Sequence, residues 1–392
     1  MGYNSHMRYI TPYILDDLRS KMVFISGPRQ VGKTTLAKGI LSNHFSSGRY
    51  LDWDLDEDRQ DILKKRWDRD DKLLIFDELH KFPKWKTWIK GIFDVFHESH
   101  AFLVTGSARL DIYRRGGDSL MGRYHPWRLH PFTLDELPEG ISPEEGFQRL
   151  MTLGSFPEPF ISGDDRLARR WRRERFDRVL REDIRDLESI RNIQLLSLFV
   201  DLLRQRVGGL VTLSNIATDL QISPKTAKAW LDVLERMYLL FTVRPYTKSL
   251  PRAVLKPPKV YFFDNGDVLA GEGERFENLV ATSLLKRLHF LEDRDGYRYE
   301  LRYLRDKEGR EIDFVIIKEN YIEELVEVKW SDEEISKSLL YYAERLKPQR
   351  ATQIIAHLRR TYTHGRIRVT DPLSYFRPDF FTSTDTINTN SV

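Results

Sequence analysis

The sequence of 392 residues contains no cysteine, no long apolar run and no large excess of charge of either sign. The absence of cysteine excludes disulfides and thiolate zinc sites, and it suits a cytoplasmic protein, which is the location we expect. No apolar run approaches the roughly 20 residues that span a bilayer, and the first residues lack the apolar core of a signal peptide. We therefore expect no membrane partner.

The charge of the chain is nearly balanced. Lysine and arginine number 63 and acidic residues 59, which gives a formal net charge of +4. This value argues neither for nor against nucleic acid, so the distribution of charge along the chain has to decide. With 41% hydrophobic and 31% charged residues, the composition is that of a globular protein with a highly charged surface. The length is enough for two or three domains.

A glycine-rich loop lies near the N-terminus, between an apolar strand at 22–25 and a helix-forming run at 34–41. It matches the phosphate-binding pattern of glycine, four residues and Gly-Lys-Thr. In such a loop the backbone N–H groups cradle phosphates, the lysine reaches the β- and γ-phosphates, and the threonine hydroxyl binds Mg²⁺. An ordinary glycine-rich turn would not explain Lys33 and Thr34 together. We predict ATP and Mg²⁺ as cofactors, with the nucleotide-binding residues Gly27, Pro28, Arg29, Gln30, Val31, Gly32, Lys33, Thr34 and Thr35.

A second apolar strand, residues 72–76, ends in Asp77 and Glu78. An uninterrupted apolar run indicates a strand that is covered on both faces, as in a parallel sheet. Beside a phosphate loop, Asp77 would bind Mg²⁺ through water, and Glu78 would orient and deprotonate the attacking water. The alternative is a solvated helix start, because Asp-Glu also suits a helix N-terminus.

Two further residues are candidates for the catalytic machinery. Ser107 follows the apolar strand 101–105 and could sense the γ-phosphate, or it could belong to a polar turn. Arg123 is a candidate arginine finger that acts on the nucleotide of a neighbouring copy, so we expect a homo-oligomer. An arginine in a loop can also be an ordinary surface charge, and three others compete for the role: Arg109, Arg114 and Arg115.

Four short motifs occur in a distinctive order, at residues 27–35, 76–81, 105–108 and 120–124. In this order they resemble the prokaryotic AAA+-type ATPases that carry a C-terminal domain of unknown function. Residues 153–158 are similar to that family's Gly-Gly-Phe-Pro junction, with serine in place of the second glycine. The resemblance implies an α/β P-loop NTPase with an ASCE/AAA+-like parallel sheet that hydrolyses ATP.

An arginine-rich helix is predicted over residues 164–191. The interpretation that we slightly prefer is a connector helix with i,i+4 ion pairs, such as Glu174 with Arg178. The alternative is a face that binds a phosphate backbone. It would use a cluster with almost no acid among it: Arg166, Arg169, Arg170, Arg172, Arg173 and Arg175.

A helix-turn-helix with a wing is predicted next. Residues 212–220 and 225–237 form the helices, with a turn at Ser223 and Pro224, and residues 238–243 form a strand. Winged helices bind DNA, but they also serve as lids and protein-docking modules, so a DNA and a protein partner both stay open. The residues expected to be exposed where DNA readers make their contacts are Lys225, Thr226 and Lys228.

Two strand patterns, 311–317 and 324–330, are joined by a short connection. Asn320 tolerates a positive φ and is the expected centre of the turn. A turn about this residue pairs Lys318 with Ile322. The resulting register decides which polar side chains of the two strands lie across from each other.

In that register Asp313 lies across from Glu327, with Lys329 on the same face, and Glu277 of an upstream helix could join them. The pattern of Asp, a spacer and Glu-x-Lys is the PD-(D/E)xK signature of metal-dependent nucleases, and the segment resembles the restriction-endonuclease-like fold, with Ile312 in place of proline. The resemblance implies that Glu277, Asp313 and Glu327 bind Mg²⁺ and that Lys329 is catalytic. The alternatives are a salt-bridged strand pair or a decayed nuclease fold kept as a scaffold.

The predicted architecture is a P-loop AAA+-like ATPase domain over 1–160, a helical connector and winged-helix domain over 161–255, a restriction-endonuclease-like α/β domain over 256–380 and a disordered tail over 381–392. The favoured function is an ATPase that remodels or translocates on DNA, including branched DNA, with or without metal-dependent cleavage. One alternative is a nucleotide-dependent switch that docks a protein partner and keeps an inactive nuclease-like scaffold. Another is a metal-dependent nuclease that ATP regulates.

Overall fold

The computed structural model describes residues 7–106, 120–184, 192–247, 256–331 and 334–381. The chain divides into two compact units, Met1–His130 and Pro131–Val392. Residues 131–160, which the sequence analysis assigns to the ATPase domain, belong to the second unit. The functional boundaries at 160 and 255 stay predictions.

The first unit is a five-stranded sheet covered by helices. Every residue of its first and third strands is buried, which agrees with their uninterrupted apolar sequences. The strands are β1 (Met22–Ser26), β2 (Gly48–Asp52), β3 (Leu73–Asp77), β4 (Ala101–Thr105) and β5 (Tyr124–Arg128). The helices are α1 (Thr11–Asp17), α2 (Lys33–His44), α3 (Asp56–Lys64) and α4 (Trp85–Phe96), and a 3-10 turn covers Leu79–Lys81.

The strands of the first unit lie in the order β2-β3-β4-β1-β5, and all pairs are parallel. Parallel strands end at the same edge of a sheet, which is where ligands bind in open α/β folds. The phosphate loop that follows β1 is therefore at the same edge as Asp77 and Thr105, which are register neighbours at the ends of β3 and β4. The sheet thus assembles the predicted nucleotide residues.

Aromatic side chains form much of the core beneath this sheet. Phe24, Phe76 and Phe102 are fully buried on three different strands. Trp85 of α4 lies with its ring centroid 5.9 Å from that of Phe24. Buried rings contribute large apolar areas, so this cluster holds α4 against the sheet. It also supports β3, the strand that ends at Asp77 and is followed by Glu78.

The second unit combines helices with an eight-stranded sheet in the order β12-β13-β11-β10-β9-β8-β6-β7. The strands are β6 (Leu240–Pro245), β7 (Lys259–Phe262), β8 (Tyr299–Arg305), β9 (Glu311–Lys318), β10 (Tyr321–Lys329), β11 (Arg350–Ile355), β12 (Tyr362–His364) and β13 (Ile367–Thr370). The helices are α5 (Pro143–Thr152), α6 (Pro157–Ser162), α7 (Asp165–Arg178), α8 (Ile193–Arg204), α9 (Leu213–Asp219), α10 (Pro224–Arg236), α11 (Glu272–Asp295), α12 (Lys337–Leu346) and α13 (Pro372–Tyr375). Short 3-10 or π turns cover Val179–Ile184, Asn265–Asp267 and Pro378–Phe381.

The elements of the predicted helix-turn-helix are present as α9 and α10. The Ser223 hydroxyl caps α10 by accepting a hydrogen bond from the N–H of Thr226 at 3.0 Å, and Pro224 is the first helical residue. The strand that follows, β6, pairs antiparallel with β7 and, through Arg244 and Arg302, parallel with β8. The strand after the helix-turn-helix therefore belongs to the same sheet as the hairpin β9–β10.

The predicted turn of that hairpin is wrong. Lys318 pairs with Tyr321 and not with Ile322. The loop has two residues instead of three, and it is Glu319, with a φ of 55°, that takes the left-handed conformation we had assigned to the centre of the turn. On its own this change would move every later residue of β10 to the opposite face.

A bulge in β10 compensates for the wrong turn. The register shifts by one residue after Ile322. Beyond the bulge Val326 pairs with Phe314, and the same register continued by one residue puts Asp313 across from Glu327. The predicted neighbour was therefore right, although the predicted turn was not.

The arginine-rich helix α7 is partly buried. Arg175 is 3% exposed, with its guanidinium 3.4 Å from a carboxylate oxygen of Asp267 and 4.0 Å above the ring of Phe156. Arg172 donates a hydrogen bond to the carbonyl oxygen of Leu153 at 2.8 Å. The alternative in which the whole cluster faces a phosphate backbone is wrong for Arg175, because its charge is paired inside the protein.

The junction before α6 depends on a glycine. Gly154 has a φ of 96°, and a Cβ there would lie 2.3 Å from a carboxylate oxygen of Asp264. That oxygen accepts hydrogen bonds from the N–H groups of Ser155 at 2.9 Å and Gly266 at 3.2 Å. The serine that departs from the family's motif is thus accommodated, whereas the position before it requires glycine.

Within the described ranges, no helix is long and apolar enough to cross a membrane. Phe381, the first residue of the predicted disordered tail, is buried, with its ring centroid 4.9 Å from that of Phe290. The rest of that tail lies outside the described residues.

Candidate functional site

The phosphate loop connects β1 to α2. A Cβ at Gly27, whose φ is 146°, would lie 2.3 Å from the carbonyl oxygen of Leu129, so only glycine fits. Gly32, with a φ of 98°, precedes the first turn of α2, whose N–H groups give the loop a positive end. The ammonium of Lys33 donates to the carbonyl oxygens of Gly27 at 3.0 Å and Pro28 at 2.8 Å. It therefore folds back over the loop in which phosphates would lie.

Arg8 supports the loop, and the sequence analysis did not identify it. It is buried, and its guanidinium donates to the carbonyl oxygens of Val31 at 3.0 Å and His130 at 2.6 Å. These bonds tie the loop to the segment that follows β5. Of the other predicted nucleotide residues, Arg29 and Gln30 are half-buried. Thr34 and Thr35 lie exposed at the start of α2.

Three hydroxyl groups donate to the carboxylate of Asp77. They come from Thr34 at 2.8 Å, Tyr50 at 2.6 Å and Thr105 at 2.5 Å. Burial alone would raise the pKa of Asp77, but the three hydrogen bonds outweigh it and hold the pKa below its ordinary value. The carboxylate is therefore ionised at neutral pH and pointed at the helix that carries Thr34.

The residues at this position fit a magnesium ion. The Thr34 hydroxyl and the Asp77 carboxylate are hard oxygen donors that stand 2.8 Å apart at the strand edge. Mg²⁺ in nucleotide sites is commonly held by one or two protein oxygens, with phosphates and water completing its shell. Bound there, the ion would neutralise charge on the β- and γ-phosphates.

Glu78 follows Asp77 at the sheet edge with a φ of 53°. Its carboxylate lies 3.5 Å from the ammonium of Lys81 and 3.6 Å from a ring nitrogen of His80. Burial raises the pKa of Glu78 above its ordinary value, and the nearby ammonium of Lys81 offsets part of that rise. A half-shielded carboxylate with a raised pKa suits a general base better than a plain surface charge does.

The other two catalytic residues predicted for the first unit are Arg123 and Ser107. Arg123 pairs with Asp94 of α4 through two hydrogen bonds, of 2.6 Å and 3.2 Å, and it would have to leave this partner to reach a nucleotide. Ser107 lies outside the described residues, as do the competing arginines Arg109, Arg114 and Arg115.

In the second unit the predicted carboxylates do come together. Asp313 is on β9, Glu327 on β10 and Glu277 near the start of α11. Asp313 accepts a hydrogen bond from the N–H of Val328 at 2.9 Å, and Lys329 pairs with Glu327 at 3.0 Å. We call this group, with the residues that it contacts, the acidic pocket.

A lysine that the sequence analysis missed lies inside the acidic pocket. The ammonium of Lys259, the first residue of β7, is 2.6 Å from Glu311, 3.2 Å from Asp313 and 3.3 Å from Glu277. Its side chain is only 2% exposed. Tyr261, two residues further along β7, donates its hydroxyl to Glu277 at 2.6 Å.

Two carboxylates of the pocket have strongly raised pKa values. Burial raises the pKa of Glu277 to about 7 and that of Glu327 to about 8, and in both cases the charge of Asp313 adds to the rise. One buried oxygen of Glu327 has no hydrogen-bond partner within the described residues. Burial therefore opposes the charged form of both carboxylates, and their cationic neighbours Lys259 and Lys329 offset part of that effect.

The pocket as folded does not fit a metal ion. In the described part of the chain, no group of three or more Asp, Glu, His or Cys side chains is arranged to hold one. The oxygens around Lys259 stand 2.6 to 3.3 Å from its nitrogen, so the space between these carboxylates is occupied by an ammonium that they hold as an ion pair. The proposed ligands Glu277 and Asp313 are shared with that lysine.

The missed residues left weak signals in the sequence. Tyr50 is a polar, half-buried side chain in β2, and a buried hydroxyl usually has a partner. Lys259 and Tyr261 alternate in a short strand that is otherwise apolar, which indicates one polar face. Neither signal names the partner.

Family comparisons divide the chain into three segments. Residues 19–138 match the family model of the AAA domain. Residues 144–271 and 272–374 match the models of two domains of unknown function, DUF8612 and DUF4143. The AAA match and the five-stranded parallel sheet support an AAA+ ATPase with a P-loop NTPase fold. The family resemblance described in the sequence analysis also implied a C-terminal domain of unknown function.

Curated relatives are distant and themselves uncharacterized. A protein of Methanocaldococcus jannaschii is 24% identical over 352 residues, which cover 81% of this chain and 76% of that protein. A protein of Mycobacterium tuberculosis is 23% identical over 248 residues, which cover 63% and 55%. Neither relative names a substrate or a partner.

Solved structures show weak likeness. The RuvB Holliday junction branch migration motor of Thermotoga maritima is 19% identical, with a TM-score of 0.30 over 59% of this chain and 86% of its own. The ORC1 protein of Aeropyrum pernix, solved in complex with DNA, is 13% identical, with a TM-score of 0.31 over 71% of this chain and 92% of its own. Likeness at this level says nothing about what this chain binds.

Proposed function

We propose that the chain is an ATPase that hydrolyses ATP with Mg²⁺ and uses the energy on DNA. The observation that carries the hydrolysis is the meeting of the phosphate loop with Thr34, Asp77 and Glu78 at one edge of the parallel sheet. A loop that only bound nucleotide would not need an ionised magnesium ligand and a second, half-shielded carboxylate beside it.

Each residue has a distinct role in this proposal. Lys33 exchanges its bonds to the loop carbonyls for bonds to the β- and γ-phosphates. Thr34 and Asp77 hold the ion, and Glu78 takes a proton from the attacking water. Ser107 senses the γ-phosphate.

Lys33→Ala tests the phosphate loop directly. Because the ammonium supplies the main positive charge for the phosphates, the variant should lose detectable ATP binding in calorimetry. Lys64→Ala, which removes an exposed lysine of α3 in the same unit, is the matched control and should bind normally. An affinity of Lys33→Ala equal to that of the control would refute the assignment.

Arg123 is proposed to act on the nucleotide of a neighbouring copy. The ATPase activity per molecule should then rise with protein concentration, and Arg123→Ala should remove that rise. Arg19→Ala removes another exposed arginine that is ion-paired on its own surface, and it should keep the rise. Flat specific activity across concentrations at which the oligomer dissociates would argue for a residue of the same chain.

The DNA part of the proposal is supported by an exposed basic face on α7. Its four arginines, which follow the i, i+3, i+4, i+7 spacing of one helix face, are Arg166, Arg169, Arg170 and Arg173. Arg169 pairs with Asp165 on the same helix. A row of this kind can track a phosphate backbone without reading bases.

The helix-turn-helix adds less to the DNA proposal than the sequence suggested. Lys225 is exposed at the start of α10, as expected. Thr226 is half-buried, and Lys228 pairs with Asp232 one turn further along, so its charge is partly neutralised. A winged helix that reads DNA remains a proposal, and α7 is the better first target.

The test is DNA binding by Glu78→Gln with ATP and Mg²⁺, on single-stranded, duplex and branched DNA across a salt series. Binding should weaken steeply with salt, with a logarithmic slope of about 0.9 per duplex phosphate contacted. Arg170→Glu/Arg173→Glu should weaken binding and reduce the slope by about two. Arg359→Glu/Arg360→Glu makes the same charge change at exposed arginines elsewhere in the unit and should have a small effect. No binding at low salt would refute the DNA role.

A second function, a nucleotide-dependent switch that docks a protein partner, is favoured by one observation. Two of the three carboxylates proposed as nuclease ligands, Glu277 and Asp313, contact Lys259, and among the described residues no carboxylate group is arranged to hold a metal ion. Cleavage by Glu277, Asp313, Glu327 and Lys329 is therefore the least supported part of the DNA proposal. Absence of DNA binding together with a protein that is captured only in the ATP state would favour the switch.

A further inference from the structure

The position of Lys259 in the acidic pocket is specific. Its ammonium contacts three carboxylates from two elements: Glu311 and Asp313 on β9, and Glu277 on α11. A side chain that is 2% exposed loses its water, and a buried charge is tolerated only where partners replace that water. Here three acceptors surround three N–H donors, so the hydrogen-bonding capacity of the ammonium is filled.

We propose that Lys259 is the resident cation of the acidic pocket, which it keeps closed to divalent metal ions. The pocket becomes a metal site only when that ammonium is removed. This inference concerns the second unit and holds whether or not the ATPase proposal is right. It assigns the pocket a structural role in the native chain, and it explains why the carboxylates of a nuclease signature fail to form a metal cage.

Lys259 and a divalent ion would compete for the carboxylates of the acidic pocket. Lys259 engages one oxygen of Glu277 and one of Asp313, and the second oxygen of Asp313 accepts from the N–H of Val328. A divalent ion bound by Asp313 would therefore have to share or displace one of these contacts, and beside Glu277 it would stand within a few ångströms of the ammonium. Carboxylates left without the ammonium, by contrast, would be three hard oxygen donors around one vacated position, which suits Mg²⁺ or Mn²⁺. The lysine and a metal ion are thus mutually exclusive.

The arrangement also fastens β7 to the rest of the pocket. Lys259 and Tyr261 both project from β7 toward Glu277, and β7 pairs with β6, the strand after the helix-turn-helix. A metal ion would join the carboxylates of α11 and β9 to one another, but it would leave β7 without the contacts that Lys259 makes to them. The ammonium of Lys259 therefore holds β7 to the carboxylates of α11 and β9, which a bound metal ion would not do.

The first experiment measures Mn²⁺ binding to the nucleotide-free full chain by the loss of the free-ion electron paramagnetic resonance signal. The wild type and Asp313→Asn should bind the same number of ions, because the pocket takes none. Lys259→Met should bind one more Mn²⁺ per chain than the wild type, and the double variant Lys259→Met/Asp313→Asn should lose that ion.

Lys286→Met is the matched control. Lys286 is fully buried and donates to Glu136 at 2.5 Å and to the carbonyl oxygen of Pro131 at 3.1 Å, so it is another buried lysine but is not in contact with the three carboxylates of the acidic pocket. This variant should bind no additional Mn²⁺. Thermal unfolding gives a second readout, since Mn²⁺ should raise the Tm of Lys259→Met and leave that of Lys286→Met unchanged.

Two results would overturn the inference. One is a wild-type chain that binds one more Mn²⁺ than Asp313→Asn, which would mean that the native pocket accepts a metal. The other is a folded Lys259→Met variant that binds no additional Mn²⁺. If Lys259→Met does not fold, the comparison of the wild type with Asp313→Asn still decides whether the native pocket is closed.

Discussion

Replacing Glu78 by glutamine separates its proposed role as a general base from a structural role. The amide has the same shape, but it cannot accept a proton from water. A lost general base costs about a hundredfold to ten-thousandfold in rate, which corresponds to about 2.7 to 5.5 kcal/mol in activation free energy. We expect at least a hundredfold loss in kcat and an unchanged affinity for ATP, because Glu78 makes no hydrogen bond to the phosphate loop among those the structure shows.

The effect of the same substitution on stability should be small. The main charged contact of Glu78 is with Lys81 at 3.5 Å, and both side chains are partly exposed. Ion pairs of this kind are worth about 0 to 1 kcal/mol, so the Tm of the variant should fall by no more than a few degrees. A purely structural Glu78 would give the opposite pattern, with little loss of rate.

Steady-state ATP hydrolysis and ATP binding measured on the same preparations provide the assay. Glu98→Gln removes a carboxylate from an exposed turn of the first unit and should leave both quantities unchanged. Near-normal turnover by Glu78→Gln would refute the reasoning and place the base elsewhere. A large loss of ATP affinity would also count against it, since the carboxylate would then be needed to shape the loop.

Two further predictions concern pH and backbone conformation. Lys81→Met removes the ammonium that lowers the raised pKa of Glu78, so the acid side of the pH–rate profile should move to higher pH; a shift to lower pH would contradict the electrostatic account. Gly154→Ala should destabilise the chain by about 2 to 4 kcal/mol in urea unfolding, because the new Cβ meets Asp264 at 2.3 Å in addition to the strain of a positive φ. Gly140→Ala has a similar φ of 84° with open space around it, so it should cost only about 1 to 2 kcal/mol; equal losses would show that the contact is unimportant.

The nucleotide site could be predicted because its signals are local. The glycines of the phosphate loop and the apolar run before Asp77 describe backbone shapes that form within ten residues, and a parallel sheet brings their ends together. Tyr50 and Arg8 could not be placed in the same way. Their partners are fixed by strand register and by the packing of a distant segment.

The acidic pocket shows both the reach and the limit of reasoning from strands. The neighbours Asp313 and Glu327 follow from the polar face of each strand, and one unpredicted turn was offset by one unpredicted bulge. Lys259 contacts residues 18, 52 and 54 positions further along the chain, and no periodicity relates β7 to them. A charge count gives no help either, because an internal ion pair leaves the net charge unchanged.

The pairing of β6 with β8 has a practical consequence for anyone who dissects this chain. A cut near residue 255, the predicted domain boundary, would separate β7 from its partner β6. It would also remove β6 from β8, which it contacts through the pair Arg244 and Arg302. Exposed strand edges of this kind can pair with strands of other molecules, which promotes aggregation. A piece of the C-terminal unit that keeps these pairs therefore has to begin before Leu240, so the strand that follows the helix-turn-helix has to be carried with the hairpin β9–β10.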